Sequence, residues 1–172
     1  MKKILSIIIT SFSLIVCCAL AGGCGIYSFS GTSIAPDVKS ITVHTIENKA
    51  MQINPALSNQ LTQALQDKYR HLTKLDMVND GGDLDVSGYI TSYEVTPTAV
   101  TSDEVASKNR LTVTVKIVFK NQKYPKENFD KSFAAYQDYD STSSLDAVQA
   151  ALCDQLVTTL CEDIFNATVA NW

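Results

Sequence analysis

Cys24 carries the most specific chemical signal in the chain, because it directly follows three small residues, Ala21-Gly22-Gly23. A thiol in that setting is a lipid acceptor: the peptidase that processes lipidated exports needs small side chains just before the modified cysteine. Cys17 and Cys18 lack the setting, since Val16 or Cys17 would have to stand where Gly23 stands. Ala21 departs from the leucine usual at its position. The blander alternative is an ordinary secretory signal with an incidental cysteine.

Other reactive side chains are sparse. His44 and His71 are the only histidines, and neither has a metal-ligand spacing such as H-E-x-x-H. No G-x-S-x-G elbow, phosphate-cradling glycine loop or C-x-x-C occurs. Asp83 with Asp85 and Asp138 with Asp140 form acidic pairs, but without the D-x-D-x-D-G calcium spacing they read as solvated turn residues. Asp140-Ser141-Thr142 has the form of a sugar acceptor in bacteria that O-glycosylate exported proteins. With Cys24 given to lipid, Cys153 and Cys161 remain beyond the signal segment. They fall eight apart in one predicted helix, about 12 Å, too far for a disulfide, and read as buried free thiols. An enzyme would need a positioned acid, base or nucleophile, and only scattered carboxylates are available. Neither a catalytic residue nor a cofactor nor a metal is expected.

One constellation suggests binding. Arg110, Lys116 and Lys120 share the polar face of a predicted strand with Thr112 and Thr114. At ~3.3 Å per residue they span about 33 Å, enough to meet several anionic groups on a lipid headgroup or a partner. The alternative is a solvated sheet face whose cations discourage edge-to-edge aggregation. Tyr89 and Tyr93 extend this face unless a bulge at Gly88 reorients them.

The elements that position these residues follow from the patterning. Lys2 and Lys3 precede an apolar run from Ile4 to Leu20, which reads as a signal peptide over residues 1–23. Its loss takes the formal charge from -4 to -6 and disfavours a globally basic nucleic-acid binder. Residues 24–37, rich in Gly, Ser and Thr with Tyr27, Phe29 and Ile34, form a tether of which part docks. Residues 38–172 are the size of one domain.

A strand is predicted over Val38 to Ile46, then an amphipathic helix of about four turns that starts at Asn54-Pro55 and carries Leu57, Leu61, Ala64, Leu65 and Leu72. A short strand at Leu75 to Val78 and a turn at Asn79-Asp80-Gly81-Gly82 precede a strand from Leu84 to Val95, whose apolar phase switches part-way. Thr96 to Ser107 reads as an exposed loop. Leu111, Val113, Val115, Ile117 and Phe119 alternate with polar residues in the clearest strand. A turn over Asn121 to Asn128 and a strand from Phe129 to Tyr139 follow. Ser143 with Asp146 resembles a capping box for a second helix bearing Leu145, Val148, Leu152, Leu156, Leu160 and Ile164. The expected fold is an α+β two-layer sandwich, with both helices on one face of a largely antiparallel four-stranded sheet.

Several stretches, in this order, resemble a known family: Cys24-Gly25-Ile26-Tyr27-Ser28-Phe29-Ser30-Gly31, the Asn54-Pro55 helix start, Asn109-Arg110-Leu111-Thr112-Val113, Phe129-Asp130-Lys131-Ser132-Phe133, and Glu162-Asp163-Ile164-Phe165 with the ending Asn171-Trp172. Together they resemble the LptE-type lipopolysaccharide-assembly lipoproteins over essentially the whole mature chain. The resemblance implies two helices on a four-stranded sheet. It also implies a non-enzymatic protein anchored by lipid on the periplasmic side of the outer membrane, which plugs the LptD β-barrel and helps deliver lipopolysaccharide to the outer leaflet. The absence of acidic residues after Cys24 agrees with periplasmic retention. No lipopolysaccharide-contacting residue is carried over from the family, so Arg110, Lys116 and Lys120 rest on the physical argument alone. The competing reading is an auxiliary lipoprotein of a different, ABC-type lipid-transport complex.

Overall fold

The computed structural model describes residues 34–52, 54–98 and 108–169. The expected signal peptide, Cys24, the expected tether up to residue 33 and most of the predicted 96–107 loop lie outside them.

In chain order the elements are β1 (Ser40–Val43), β2 (Glu47–Asn48), α1 (Pro55–Leu72), β3 (Asp76–Met77), β4 (Leu84–Thr98), β5 (Lys108–Asn121), a 3-10 turn at Pro125–Glu127, β6 (Phe129–Asp140) and α2 (Leu145–Val169). The sheet runs β3-β1-β4-β5-β6, and β2 pairs with β4 beside β1. The expected α+β class holds, but the sheet has six strands rather than four and is mixed. β4, β5 and β6 form an antiparallel meander, while β1 is parallel to both β3 and β4, and β2 is parallel to β4.

Two local causes explain the difference. The Asn79–Gly82 stretch is not a hairpin: it carries the chain past β1, so that β3 and β4 flank β1 and run the same way. Gly82 donates to Thr42 Oγ1 at 3.1 Å, and a Cβ there would stand 2.7 Å from the Thr42 nitrogen, so only glycine allows this close passage. The predicted 38–46 strand is interrupted because Ile46 turns its backbone toward the helix. Its N–H donates to Thr62 Oγ1 at 3.0 Å and its carbonyl accepts from Ser58 Oγ at 2.6 Å. The ladder resumes at Glu47.

Asn54 starts α1 as expected, its side chain accepting from the Ala56 N–H at 3.0 Å with Pro55 in the first turn. The helix runs for 18 residues, about five turns. The expected capping box at the second helix is out of register: α2 begins at Leu145, so Ser144, not Ser143, precedes its first residue. Asp146 still places a negative charge in the first turn, which the helix dipole favours.

Leu57, Leu61, Leu65 and Tyr69 of α1 and Leu156, Leu160 and Ile164 of α2 are fully buried with Ile41, Val86, Ile90, Val113, Val115 and Ile117 of the sheet. Each such aliphatic side chain contributes roughly 1.5–3 kcal/mol on burial. Tyr69 and Phe165 join the two helices with ring centroids 5.3 Å apart. Both helices therefore cover one sheet face. Among the described residues no helix covers the other.

The phase switch in β4 has a definite origin. Ile90 pairs with Val115 and Ser92 with Thr114, leaving Thr91 as the extra residue of a bulge. The bulge returns Tyr93 to the core face, where it is buried, while Tyr89 stays on the open face. The bulge expected at Gly88 is thus three residues off, and the two tyrosines do not share a face. Gly88 answers a different need, since a Cβ there would collide with the Lys116 carbonyl oxygen of the neighbouring strand. Pro97 lies where β4 has no described neighbour on its β1 side, the edge setting in which a strand tolerates proline.

Candidate functional site

The open sheet face is built in rows across β4, β5 and β6. Their register sets Thr96, Arg110 and Asp138 in one row; Glu94, Thr112 and Tyr136 in the next; then Ser92, Thr114 and Ala134; then Tyr89, Lys116 and Ser132. Asp85 and Lys120 lie opposite one another further along. Arg110, Lys116 and Lys120 thus fall on one polar face, as their alternation with buried Leu111 to Phe119 requires.

The electrostatics differ from those of a bare basic stripe. Arg110 makes a two-pronged contact with Asp138, Nε to Oδ1 at 2.7 Å and a terminal nitrogen to Oδ2 at 3.0 Å. Its guanidinium also lies 3.9 Å from the centroid of the Tyr136 ring. Hydrogen bonding to Arg110 holds the Asp138 carboxyl below the usual range, and the same bond raises the Arg110 pKa. Lys116 pairs with Asp130 at 3.1 Å, a contact that raises the lysine pKa. Lys120 is exposed, and no ion pair to it occurs among the described residues. Its cross-strand neighbour Asp85 is instead engaged by His44 Nε2 at 2.7 Å. At the far edge Lys49 pairs with Glu47 at 2.9 Å and stands 4.7 Å from the Tyr89 ring centroid.

Sequence reasoning placed the cations and missed their partners. Asp130, Tyr136 and Asp138 alternate along β6, which was the visible signal. The pairing appears only with the β5–β6 register.

The acidic pairs have structural roles. Asp83 accepts from the Lys39 N–H at 2.7 Å and the Ser40 N–H at 3.2 Å, which depresses its pKa. Asp140 accepts from the Thr142 hydroxyl at 2.6 Å, also with a lowered pKa. Among the described residues no three His, Cys, Asp or Glu side chains come together as a metal site. Cys153 and Cys161 are free and buried, as expected. Asn54 Nδ2 lies 3.3 Å from Cys153 Sγ.

A cavity of about 660 Å³ opens between the end of α2 and the β5–β6 turn, lined by Ile34, Val38, Phe119, Phe129, Lys131 and Val169 among others. Glu127 is the acid among its described lining residues, and Asn121 Nδ2 holds that carboxylate at 2.8 Å.

Residues 38–168 match the family described as LptE: Lipopolysaccharide-assembly. No curated protein matches the chain. Among solved structures, a Helicobacter pylori homologue of the neuraminyllactose-binding hemagglutinin is similar at 10% identity, with a TM-score of 0.50 over 80% of this chain and 87% of that one. A minor lipoprotein from Acinetobacter baumannii has 16% identity and a TM-score of 0.46 over 74% of this chain and 89% of its own. The rare lipoprotein B from Shewanella oneidensis has 9% identity and a TM-score of 0.44 over 74% and 90%. At such identities the first likeness is one of fold alone.

Proposed function

The chain belongs to the LptE lipopolysaccharide-assembly family, and from that premise we propose that it is a non-enzymatic outer-membrane lipoprotein that binds an LptD-type β-barrel and assists lipopolysaccharide delivery to the outer leaflet. The observation that carries the reading is the family match across residues 38–168, which spans every described strand and nearly all of both helices. Lipid on Cys24, after removal of residues 1–23, anchors the domain on the periplasmic side. No described helix is long and apolar enough to cross a membrane.

The open face supports the partner assignment. Barrel lumens are polar, and on this face Arg110 and Lys116 enter such a lumen with their charges already paired to carboxylates. Toward lipopolysaccharide, Lys120, which has no ion pair among the described residues, supplies a cation that meets a phosphate, and Arg110 and Lys116 act as fixed hydrogen-bond donors.

The deciding experiment is affinity purification of the tagged full-length chain from detergent-solubilised outer membranes. A stoichiometric large β-barrel is expected. Recovery of an inner-membrane ABC transporter in its place would replace this reading with that of an auxiliary lipoprotein of another lipid-transport complex.

A further inference from the structure

We propose that the open sheet face is a saccharide platform, on which a neutral hexose chain lies across the strands in the trough floored by Ser92, Thr114 and Ala134. The inference rests on the lipopolysaccharide reading only for the source of such a chain.

The trough follows from the register. Three small residues stand in one row, bounded on one side by Glu94, Thr112 and Tyr136 and on the other by Tyr89, Lys116 and Ser132. Alternate residues on one face are ~6.6 Å apart along a strand, so the bounding rows are separated by roughly 13 Å. That width admits a sugar ring, and three strands at ~4.8 Å spacing give it length across the sheet.

The walls carry the chemistry that recognises a polyol. Tyr136 is 57% exposed, although it stands on a strand whose core-face neighbours Ala135 and Tyr139 are buried. Arg110 lies against its ring, and Asp138 locks the guanidinium in place. An aromatic ring stacks on the C–H side of a hexose, and the guanidinium–carboxylate pair in the next row outward braces that ring. At the opposite corner Tyr89 repeats the arrangement with Lys49 and Glu47. The floor adds the hydroxyls of Ser92 and Thr114.

Charge selects among occupants. Each cation in the bounding rows or directly beside them has its own carboxylate: Arg110, one row beyond Tyr136, with Asp138, Lys116 with Asp130 and Lys49 with Glu47. A phosphate would have to displace one of these and would also face Glu94, an exposed carboxylate of the bounding row with no ion pair among the described residues, whereas an uncharged polyol leaves every pair intact. Lys120, which has no ion pair among the described residues, lies further outside the bounding rows.

The test uses the full chain in detergent and isothermal titration. The probe is the polysaccharide released by mild acid from the lipopolysaccharide of the bacterium that makes this protein, then stripped of phosphate. Saturable binding is expected, weakened at least about tenfold by Tyr136→Ala and by Ala134→Arg, which fills the trough, and retained in Tyr136→Phe. Residues 134 and 136 are both exposed, so the thermal midpoints stay unchanged. The proposal is overturned by absent binding, by binding indifferent to both disruptive variants, or by binding that needs the phosphate. Barrel co-purification without saccharide binding would overturn this inference alone. Saccharide binding without a barrel partner would overturn the preceding reading and leave this one standing.

Discussion

The hydroxyls of Tyr69 and Thr168 lie 2.6 Å apart in the buried seam between α1 and α2. Thr168 Oγ1 is also 3.0 Å from the carbonyls of Ile164 and Phe165, so it donates to its own helix while accepting from the tyrosine. Burial pushes the Tyr69 phenol well above its ordinary pKa and keeps it a donor. Tyr69→Phe leaves Thr168 its intrahelical bonds and is expected to cost about 1 kcal/mol. Tyr69→Ala also opens a cavity and should cost roughly 3–5 kcal/mol. Urea unfolding followed by circular dichroism separates the two, and equal losses would contradict the assignment.

Asp83 predicts a pH dependence. Its carboxylate accepts two backbone N–H bonds at the start of β1, chiefly that of Lys39, and its folded pKa is lowered. A depressed acid stabilises the fold above its unfolded value of about 3.9, and that contribution disappears as the pH falls through the lower folded value. The thermal midpoint of Asp83→Asn should lie below that of the unaltered chain at neutral pH. The two curves should converge in acid, and a gap independent of pH would refute the argument.

The two interior thiols should be inert while the fold is intact. Burial raises the Cys161 pKa to about 11, and burial likewise raises that of Cys153. Thiolate is the reacting form, so iodoacetamide at pH 7 should label the peptides containing these residues only in denaturant. Mass spectrometry reads the outcome, and rapid native labelling of Cys161 would place it outside the core.

Gly88→Ala forces a methyl group against the Lys116 carbonyl within the β4–β5 pair. The expected loss is at least about 1–3 kcal/mol, as for overpacking in a rigid interior. Gly81, with φ of 71° and open space around it, should lose only about 1 kcal/mol on the same change. Denaturant midpoints test the ranking.

Lys120→Glu should weaken binding to intact lipopolysaccharide and flatten its dependence on salt, because this exposed cation has no carboxylate to share it among the described residues. Titration at two ionic strengths checks both effects, and unchanged binding at low salt would remove Lys120 from the contact.

The parts of this fold legible in the sequence were those with a long period. β5 announced itself through five buried residues alternating with polar ones from Leu111 to Phe119, and α1 through Asn54-Pro55 and its leucines. The strands at Val38 to Ile46 and Leu75 to Val78 were visible, but pieces as short as Asp76–Met77 carry no signal of direction, so their parallel pairing was hidden. Gly88 drew attention as the bulge because glycine is a conspicuous residue. The phase change between Ile90 and Tyr93 was the better guide, because an inserted residue must shift the alternation where it sits. The cations of the candidate site were readable for the same reason β5 was. Their neutralisation by Asp138 and Asp130 depends on a pairing register set by the Asn121–Asn128 turn, and no single strand encodes it.

The placement of β4 between β1 and β5 fixes an order of assembly. The β5–β6 hairpin closes over a short turn, whereas β1 must wait for a strand some 43 residues downstream, the separation of Ser40 from Asp83. Closing that larger loop adds about 1.6 kcal/mol of chain entropy over a seven-residue turn. A chain released from its N-terminal end therefore exposes β1 and the apolar stripe of α1 first, and neither finds its sheet until the middle of the sequence has emerged. The interval between them is when this domain most needs a chaperone, and substitutions that slow the β1–β4 pairing should reduce yield before they reduce stability.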